Sequence, residues 1–102
     1  MAEEIPISRL HNQEVNFYYN NNAFVLHLFS FNGYTFLDLK MNGEWVLYGA
    51  RCVANQYILW NTYLTRKVGG NFRFKCVDDS YPYFPSFGLS QTLEFVPLEE
   101  IE

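Results

Sequence analysis

Apolar and polar positions alternate from Phe24 to Val53, and this stretch contains Asn-Gly twice, at Asn32-Gly33 and Asn42-Gly43. Asn-Gly between β-rich runs is the strongest short-range signal for a hairpin, because both residues accept the positive φ of a type I′ turn. Two hairpins in succession predict a three-stranded antiparallel meander. The rest of the chain is expected to pack around it.

The register of the meander follows from its turns. The residues that flank a two-residue loop pair directly, so Phe31 is expected to face Tyr34 and Met41 to face Glu44. The core face then collects Phe24, Leu26, Leu28, Ser30, Thr35, Leu37, Leu39, Met41, Val46, Tyr48 and Ala50. The outer face collects Val25, His27, Phe29, Phe31, Tyr34, Phe36, Asp38, Lys40, Trp45 and Leu47.

The same patterning predicts an all-β fold. Outside the meander, strands are predicted at Glu14–Tyr19, Tyr57–Tyr63, Asn71–Val77 and Ser90–Val96. Aromatic residues make up 20% of the chain and strong helix formers are scarce, so no amphipathic helix is predicted. About seven strands with turns between them indicate a small antiparallel barrel or sandwich. Its 102 residues predict one β domain over 14–97, an extended N-terminal arm over 1–13 and an acidic C-terminal tail over 98–102.

Gly69-Gly70 is expected to form a further hairpin between the last residues before it and the strand after it. If Val68 pairs with Asn71, Arg66 falls opposite Arg73, and Leu64 falls opposite Lys75. Like charges directly opposite each other are destabilising. This small basic face should therefore meet the acidic tail Glu99-Glu100-Ile101-Glu102, a partner surface, or only water and salt.

The segment from 78 to 88 is the one long irregular stretch of the sequence. It carries four aromatic residues, which is unusual because loops run over the surface, where large apolar groups are poorly placed. The loop is expected either to fold back and cap the core or to bind a partner.

The net charge and the N-terminal sequence argue against some classes of partner and location. The charge is −4 and the pI about 5.0, which argues against nucleic acid as the main partner, because phosphate binding needs clustered Lys and Arg. The start MAEEIPISRL has neither a basic region nor an apolar core of a secretory signal, and no apolar run approaches the ~20 residues of a membrane span. The sequence predicts folding in the cytosol, which favours two buried thiols at Cys52 and Cys76 over a disulfide between them.

Residues suited to catalysis or metal binding are few. His27 is predicted opposite Asp38, which resembles the His-Asp half of a triad, but Lys40 lies on the same face and no GxSxG elbow is present. The His and Cys residues show no zinc-ligand spacing, and Asp78-Asp79 lacks the alternating oxygen ligands of a calcium loop. The sequence therefore predicts a protein that is not an enzyme and that has no catalytic, cofactor-binding or metal site. A hydrolase that uses His27 and Asp38 is kept as a hypothesis.

Aromatic residues on the outer face of the meander can serve several purposes. They can form a second core layer, stack on sugars or bases, or form a protein interface, since permanent assemblies bury such faces. A carbohydrate-binding β module is the main alternative to an interaction protein. The predicted interface combines the arm, this outer face and the aromatic loop: Ile5, Pro6, Ile7, Phe29, Phe31, Tyr34, Phe36, Trp45, Tyr81, Tyr83, Phe84 and Phe87.

The order and spacing of several short features resemble a known family. These features are Ile5-Pro6-Ile7, Asn12-Gln13, Leu37-Asp38-Leu39, Gly43, Gly49-Ala50-Arg51-Cys52-Val53, Ile58-Leu59, Pro85, Gly88 and Thr92-Leu93-Glu94-Phe95-Val96. Together they resemble the small baseplate plug proteins of contractile-tailed bacteriophages, the family that includes the cyanophage-type plug.

The resemblance implies a structural protein of the virion that lies in the tail baseplate near the tail axis and is assembled in the host cytoplasm. It would link the tube or hub to surrounding baseplate proteins in several symmetric copies. The implied partners are other phage tail or baseplate proteins, such as tube, hub, wedge or sheath components, with no nucleic acid and no membrane. The family has no catalytic residues to carry over.

Overall fold

The computed structural model describes residues 3–59, 62–77 and 81–101, and strands dominate it. The strands are β1 (Glu3–Ile5), β2 (Asn12–Tyr19), β3 (Asn22–Phe31), β4 (Tyr34–Met41), β5 (Glu44–Arg51), β6 (Gly70–Cys76) and β7 (Gln91–Pro97). The helices are α1 (Thr62–Val68) and α2 (Leu98–Ile101), and a 3-10 turn spans Phe84–Ser86. The predicted all-β class is confirmed.

Seven strands form two antiparallel sheets, which we call sheet A and sheet B. Sheet A has the order β1-β7-β6 and sheet B has the order β2-β3-β4-β5. Neither sheet closes into a barrel, so the sandwich is the architecture observed. Phenylalanines from both sheets meet between them: the Phe24 ring lies 5.9 Å from Phe72, and the Phe17 ring 5.3 Å from Phe95.

The predicted meander is confirmed as β3, β4 and β5. Asn32 and Asn42 both have positive φ, at 52° and 53°, as the two type I′ turns require. Phe31 pairs with Tyr34, and Met41 pairs with Glu44. The leucines that these turns place on the core face are all buried: Leu26, Leu28, Leu37 and Leu39.

Strand β5 departs from the predicted register. Leu39 pairs with Leu47 and Leu37 with Ala50, through two register shifts that mark β-bulges. Because each extra residue reverses the alternation of faces, Leu47 packs against the core instead of lying outside. Tyr48, predicted on the core face, is 75% exposed, so both of these predictions are wrong.

The region before β6 is also different from its prediction. Tyr57 forms an isolated bridge to Arg73 and no longer ladder. Thr62 and Tyr63 begin α1 instead of ending the predicted strand, while 60 and 61 lie outside the described residues. The helix buries Thr65 and Val68, which are three positions apart and therefore share a face. The prediction of a strand that reaches Tyr63 and the prediction of no amphipathic helix are both wrong. A helix this short, made largely of residues that favour strands, shows little helical periodicity in the sequence.

Gly69-Gly70 ends this helix and is not a hairpin turn. Gly69 has φ of +86°, and its N–H donates to the carbonyl of Thr65 at 2.9 Å, which is an αL helix cap. The predicted pairing of Arg66 with Arg73 and of Leu64 with Lys75 is therefore wrong. Arg73 lies opposite Glu94, and its Nε donates to the Glu94 carboxylate at 2.8 Å.

The two ends of the chain both contact sheet A. β1 pairs with β7, which places Ile5 opposite Leu93 and buries it in the core. Residues 98–101 form α2, which follows β7 directly. No described helix is long and apolar enough to cross a membrane.

Candidate protein interface

A polar chain crosses all four strands of sheet B on the side that faces away from sheet A. The Nε2 atom of His27 lies 2.7 Å from Oδ1 of Asn12, and its Nδ1 lies 3.3 Å from Oδ2 of Asp38. The other oxygen of Asp38 accepts the backbone N–H of Gly49 at 2.6 Å. The predicted pairing of His27 with Asp38 is confirmed, and it links β2, β3, β4 and β5.

The same distances describe a structural pair. In a catalytic triad the second ring nitrogen of histidine faces the nucleophile. Here that nitrogen of His27 faces the amide oxygen of Asn12, and both oxygens of Asp38 accept hydrogen bonds. The arrangement stabilises the bulged strand β5, because the Asp38 carboxylate holds Gly49, whose φ is +63°.

Aromatic rings lie side by side along β3 and β4 on this outer surface. His27 is stacked on Phe29 with 5.2 Å between ring centroids, and Phe29 is stacked on Phe36 at 5.6 Å. At the hairpin end, Phe31 is 63% exposed. Cross-strand pairing places Phe29 opposite Phe36, so the rings of this row form one continuous surface on the sheet.

Arg51 adds a fixed positive charge next to this row. Its guanidinium carbon lies 4.1 Å from the ring centre of Tyr34 and 5.0 Å from that of Tyr81. The two tyrosine rings are perpendicular at 5.2 Å. Sequence analysis missed Arg51, because it meets Tyr81 only when a loop thirty positions further along the chain folds back.

Hydrogen bonds from side chains of both sheets hold this loop in place. The hydroxyl of Thr35 donates to the carbonyl of Pro82 at 2.7 Å, and Nε2 of Gln91 donates to the carbonyl of Tyr81 at 3.0 Å. Phe87 of the same loop is buried and stacks on Phe74 at 5.3 Å. The loop therefore caps one end of the core with Phe87 and exposes half of Tyr81.

Trp45 lies at the far end of the outer surface from Arg51. Nζ of Lys40 lies 4.6 Å from its ring centre, and the Tyr48 ring is stacked on it at 4.8 Å. Beside it is an open cavity of about 290 Å³, lined by Glu14, Val25, His27, Asp38, Lys40 and Trp45. The Trp45 ring already has two neighbours against it, which leaves little room for a sugar to stack.

The structure separates the predicted interface residues into three groups. Ile5 and Phe87 are buried in the core of the chain itself, and Ile7 and Phe84 pack against that core. The others line the outer surface or the loop beside it: Phe29, Phe31, Tyr34, Phe36, Trp45, Tyr81 and, on the loop, Tyr83. Pro6 is exposed on the segment that joins β1 to β2. We define the outer face as the exposed side of sheet B, with Tyr81 and Arg51 at its edge.

Cys52 and Cys76 form no disulfide bond, and both are buried inside the sandwich. Burial raises the pKa of the Cys52 thiol far above its usual value, and the neighbouring Cys76 raises it further. The Cys52 thiol is therefore poorly suited to act as a nucleophile or as a thiolate ligand. Within the described residues, no group of three or more His, Cys, Asp or Glu side chains is placed to hold a metal ion.

Comparison with known protein families gives one match that covers nearly the whole chain. Residues 2–99 match the family model described as cyanophage baseplate Pam3 plug gp18. No curated protein matches the chain. The match includes every strand of both sheets and the whole of the outer face.

Proposed function

The chain belongs to the family of cyanophage baseplate plug proteins, and we propose that it performs its structural role in the baseplate through the outer face of sheet B. In this role the protein is not an enzyme. It links the tail tube or hub to the surrounding baseplate proteins and is present in several symmetric copies in the virion. Assembly takes place in the host cytoplasm.

The observation that carries this proposal is the cluster of Arg51, Tyr34 and Tyr81 beside the aromatic row. Residues that dominate binding energy at interfaces are enriched in Arg, Tyr and Trp. A guanidinium packed against two rings has lost much of its rotamer freedom before any partner arrives, so binding costs less entropy. Its planar donors suit a carboxylate of a neighbouring protein.

The exposed rings next to this cluster extend the same surface. Phe31 is 63% exposed and Tyr81 is 50% exposed, and each offers a large apolar area that water solvates poorly. The polar chain through His27 and Asp38 links the four strands of sheet B and so makes the outer face rigid. A partner that covers the outer face would bury apolar area without reorganising sheet B.

Carbohydrate binding by the same face is the alternative function that needs a separate test. The Trp45 ring is in contact with Lys40 and Tyr48, so the geometry does not favour it. Sugar binding is tested by titrating the protein with a panel of glycans and monitoring tryptophan emission. A saturable shift of the emission would support sugar binding, and no shift with any glycan would contradict it.

The interface proposal is tested by incorporation of variants into phage particles. Phe31→Ser and Arg51→Ala remove exposed side chains that lie outside the buried core. Because loss of a hot-spot residue costs about 2 kcal/mol or more in binding, each should lower incorporation roughly tenfold or more. The measurement is the amount of this protein per virion in particles grown with each variant.

The matched control is Tyr63→Ser, which removes an exposed aromatic residue from α1, away from the outer face. It should be incorporated like the unmodified chain. Circular dichroism must show that all three variants stay folded. Normal incorporation of both outer-face variants, or an equal loss in the control, would contradict the proposal.

A further inference from the structure

Three of the four sheet edges in the described structure are protected against pairing with another strand. β1 has only three residues, and two of them are glutamates. β5 is bent by two bulges. β6 is covered by the segment before α1, whose Asn55 and Ile58 donate N–H groups to the carbonyls of Phe74 and Phe72. Short strands, bulges and covering segments are the usual means of blocking an edge.

The fourth edge, strand β2, has none of these protections. It runs for eight residues from Asn12 to Tyr19 and pairs with β3 along its whole length without a register shift. It contains no proline, no lysine and no glycine, and Glu14 is its one charged residue. A long, regular and open edge is a template for strand addition.

The backbone groups that β2 leaves open can be identified from the register. The carbonyl of His11 accepts the N–H of Ser30 at 2.9 Å, so odd-numbered residues of this strand face β3. In an antiparallel pair the hydrogen-bonded positions alternate, so the even-numbered N–H and C=O groups point away from the sheet. These belong to Asn12, Glu14, Asn16 and Tyr18, whose side chains are all exposed.

No turn or loop of the described residues covers these groups. Backbone hydrogen bonds outside the helices and strands involve none of the four residues. Tyr18 is 75% exposed, and Val15 and Phe17, on the opposite side of the strand, are only half-buried although they contact the core. The edge is therefore open both along its backbone and at its side chains.

We propose that β2 pairs antiparallel with β2 of a second copy of this chain, about a two-fold axis at Val15. In this register Glu14 of one copy faces Asn16 of the other, and Asn12 faces Tyr18. The amide of Asn16 can donate to the Glu14 carboxylate. A two-fold axis one residue earlier would place Glu14 opposite Glu14, and like charges directly opposite each other are destabilising.

The same register also suits the side chains on the inner side of β2. Val15 of one copy meets Val15 of the other at the axis, and Phe17 lies diagonally across from them. In this register the even-numbered residues of the two copies form the hydrogen-bonded pairs. Their N–H and C=O groups are the ones that β2 leaves open in each copy. The two four-stranded sheets join into one continuous sheet, and the outer faces of both copies stay accessible to other proteins.

The proposal does not depend on the baseplate role, because it concerns the purified chain alone. Sedimentation equilibrium from about 1 µM to 1 mM should show a reversible dimer. Asn16→Pro removes an N–H that points away from β3, so it should block the edge and leave β2 paired with β3. The expected dimer dissociation constant rises at least tenfold in this variant, whereas Asn16→Ala keeps the N–H and stays dimeric.

Hydrogen exchange of the unmodified chain locates the contact without any substitution. The amides of Glu14, Asn16 and Tyr18 should exchange more slowly at high protein concentration than at low concentration, whereas the outward amides of β5 should not change. A chain that stays monomeric at 1 mM overturns the proposal, and so does a dimer that persists in a folded Asn16→Pro variant. Protection of Asn16 that appears only after a tail protein is added also overturns it and assigns the edge to a segment of that protein.

Discussion

The Asp38 carboxylate is the most sensitive point of sheet B, and the substitution Asp38→Asn tests it. The side chain is only 11% exposed, and its two oxygens accept from Gly49 and contact His27. Asparagine has the same shape but keeps only one acceptor oxygen. Either the Gly49 N–H or the His27 ring nitrogen therefore loses its acceptor.

The expected cost follows from the strength of such bonds. A hydrogen bond to a charged group contributes about 1.5–3 kcal/mol to stability, and a buried donor left without a partner costs a similar amount. His27 is 38% exposed and can be solvated, so the lower half of this range applies. We expect Asp38→Asn to lower the free energy of unfolding by about 2 kcal/mol. Asp38→Ala, which removes both acceptors, should lower it by about 3 kcal/mol.

Urea unfolding followed by circular dichroism measures these differences. In a domain of this size, a loss of 2 kcal/mol corresponds to a fall in Tm of roughly 8–16 °C. Glu14→Gln is the control, because it neutralises an exposed carboxylate that lines the same cavity and should change stability by less than about 0.5 kcal/mol. If Asp38→Asn is no more destabilising than Glu14→Gln, the carboxylate does not hold the bulge and the reasoning is refuted.

Three further predictions concern the core and its surroundings. Gly70→Ala should lower the free energy of unfolding by about 3 kcal/mol, because the new Cβ would collide with the ring of Phe95 and with backbone. Gly33→Ala places its Cβ in open space at a positive φ and should lower it by about 1 kcal/mol. Equal losses for the two variants in urea unfolding would contradict this. Cys52 and Cys76 should resist a disulfide reagent in the native protein and react once it is unfolded, and an equal rate in both states would show that they are not buried. Because burial raises the pKa of Cys52 in the folded protein, the Cys52 thiol of the unfolded chain loses its proton first as the pH rises above the usual thiol value of 9.0. The free energy of unfolding of the unmodified chain should therefore fall above this pH. It should fall less in Cys52→Ala.

Local turn chemistry made the centre of the fold predictable. The asparagines at positions 32 and 42 fix the pairing on either side of each turn, and the buried leucines then follow from the alternation of faces. His27 meets Asp38 for the same reason. These pairs are close in sequence, so no information about the rest of the chain is needed to place them.

The features that sequence reasoning missed depend on distant contacts. The bulges in β5 exchange the faces of Leu47 and Tyr48, and the Asp38 side chain that holds them lies on another strand. Gly49 inside a β-rich run was the one signal for a bulge. Arg51 reaches Tyr81 only through the folded loop, and no local pattern relates the two.

The number of strands was predicted correctly and six of the seven were identified, but one was placed in the wrong part of the chain. The described residues of the segment Tyr57–Tyr63 do not form the predicted strand, and β1 was not predicted because its partner β7 lies almost ninety residues away. A three-residue strand also carries too short a pattern to be recognised. Pairing between the ends of the chain is a property of the whole sandwich.

Photo-crosslinking in assembled virions tests most directly the claim that the outer face contacts other baseplate proteins. A photoreactive phenylalanine analogue would replace Phe31 on the outer face or, as the control, Tyr63 on α1, and mass spectrometry would identify the crosslinked chains. We expect the probe at Phe31 to crosslink to a different tail or baseplate protein at higher yield than the probe at Tyr63. Crosslinks at Tyr63 with none at Phe31, in particles that contain both variants at normal levels, would contradict the account.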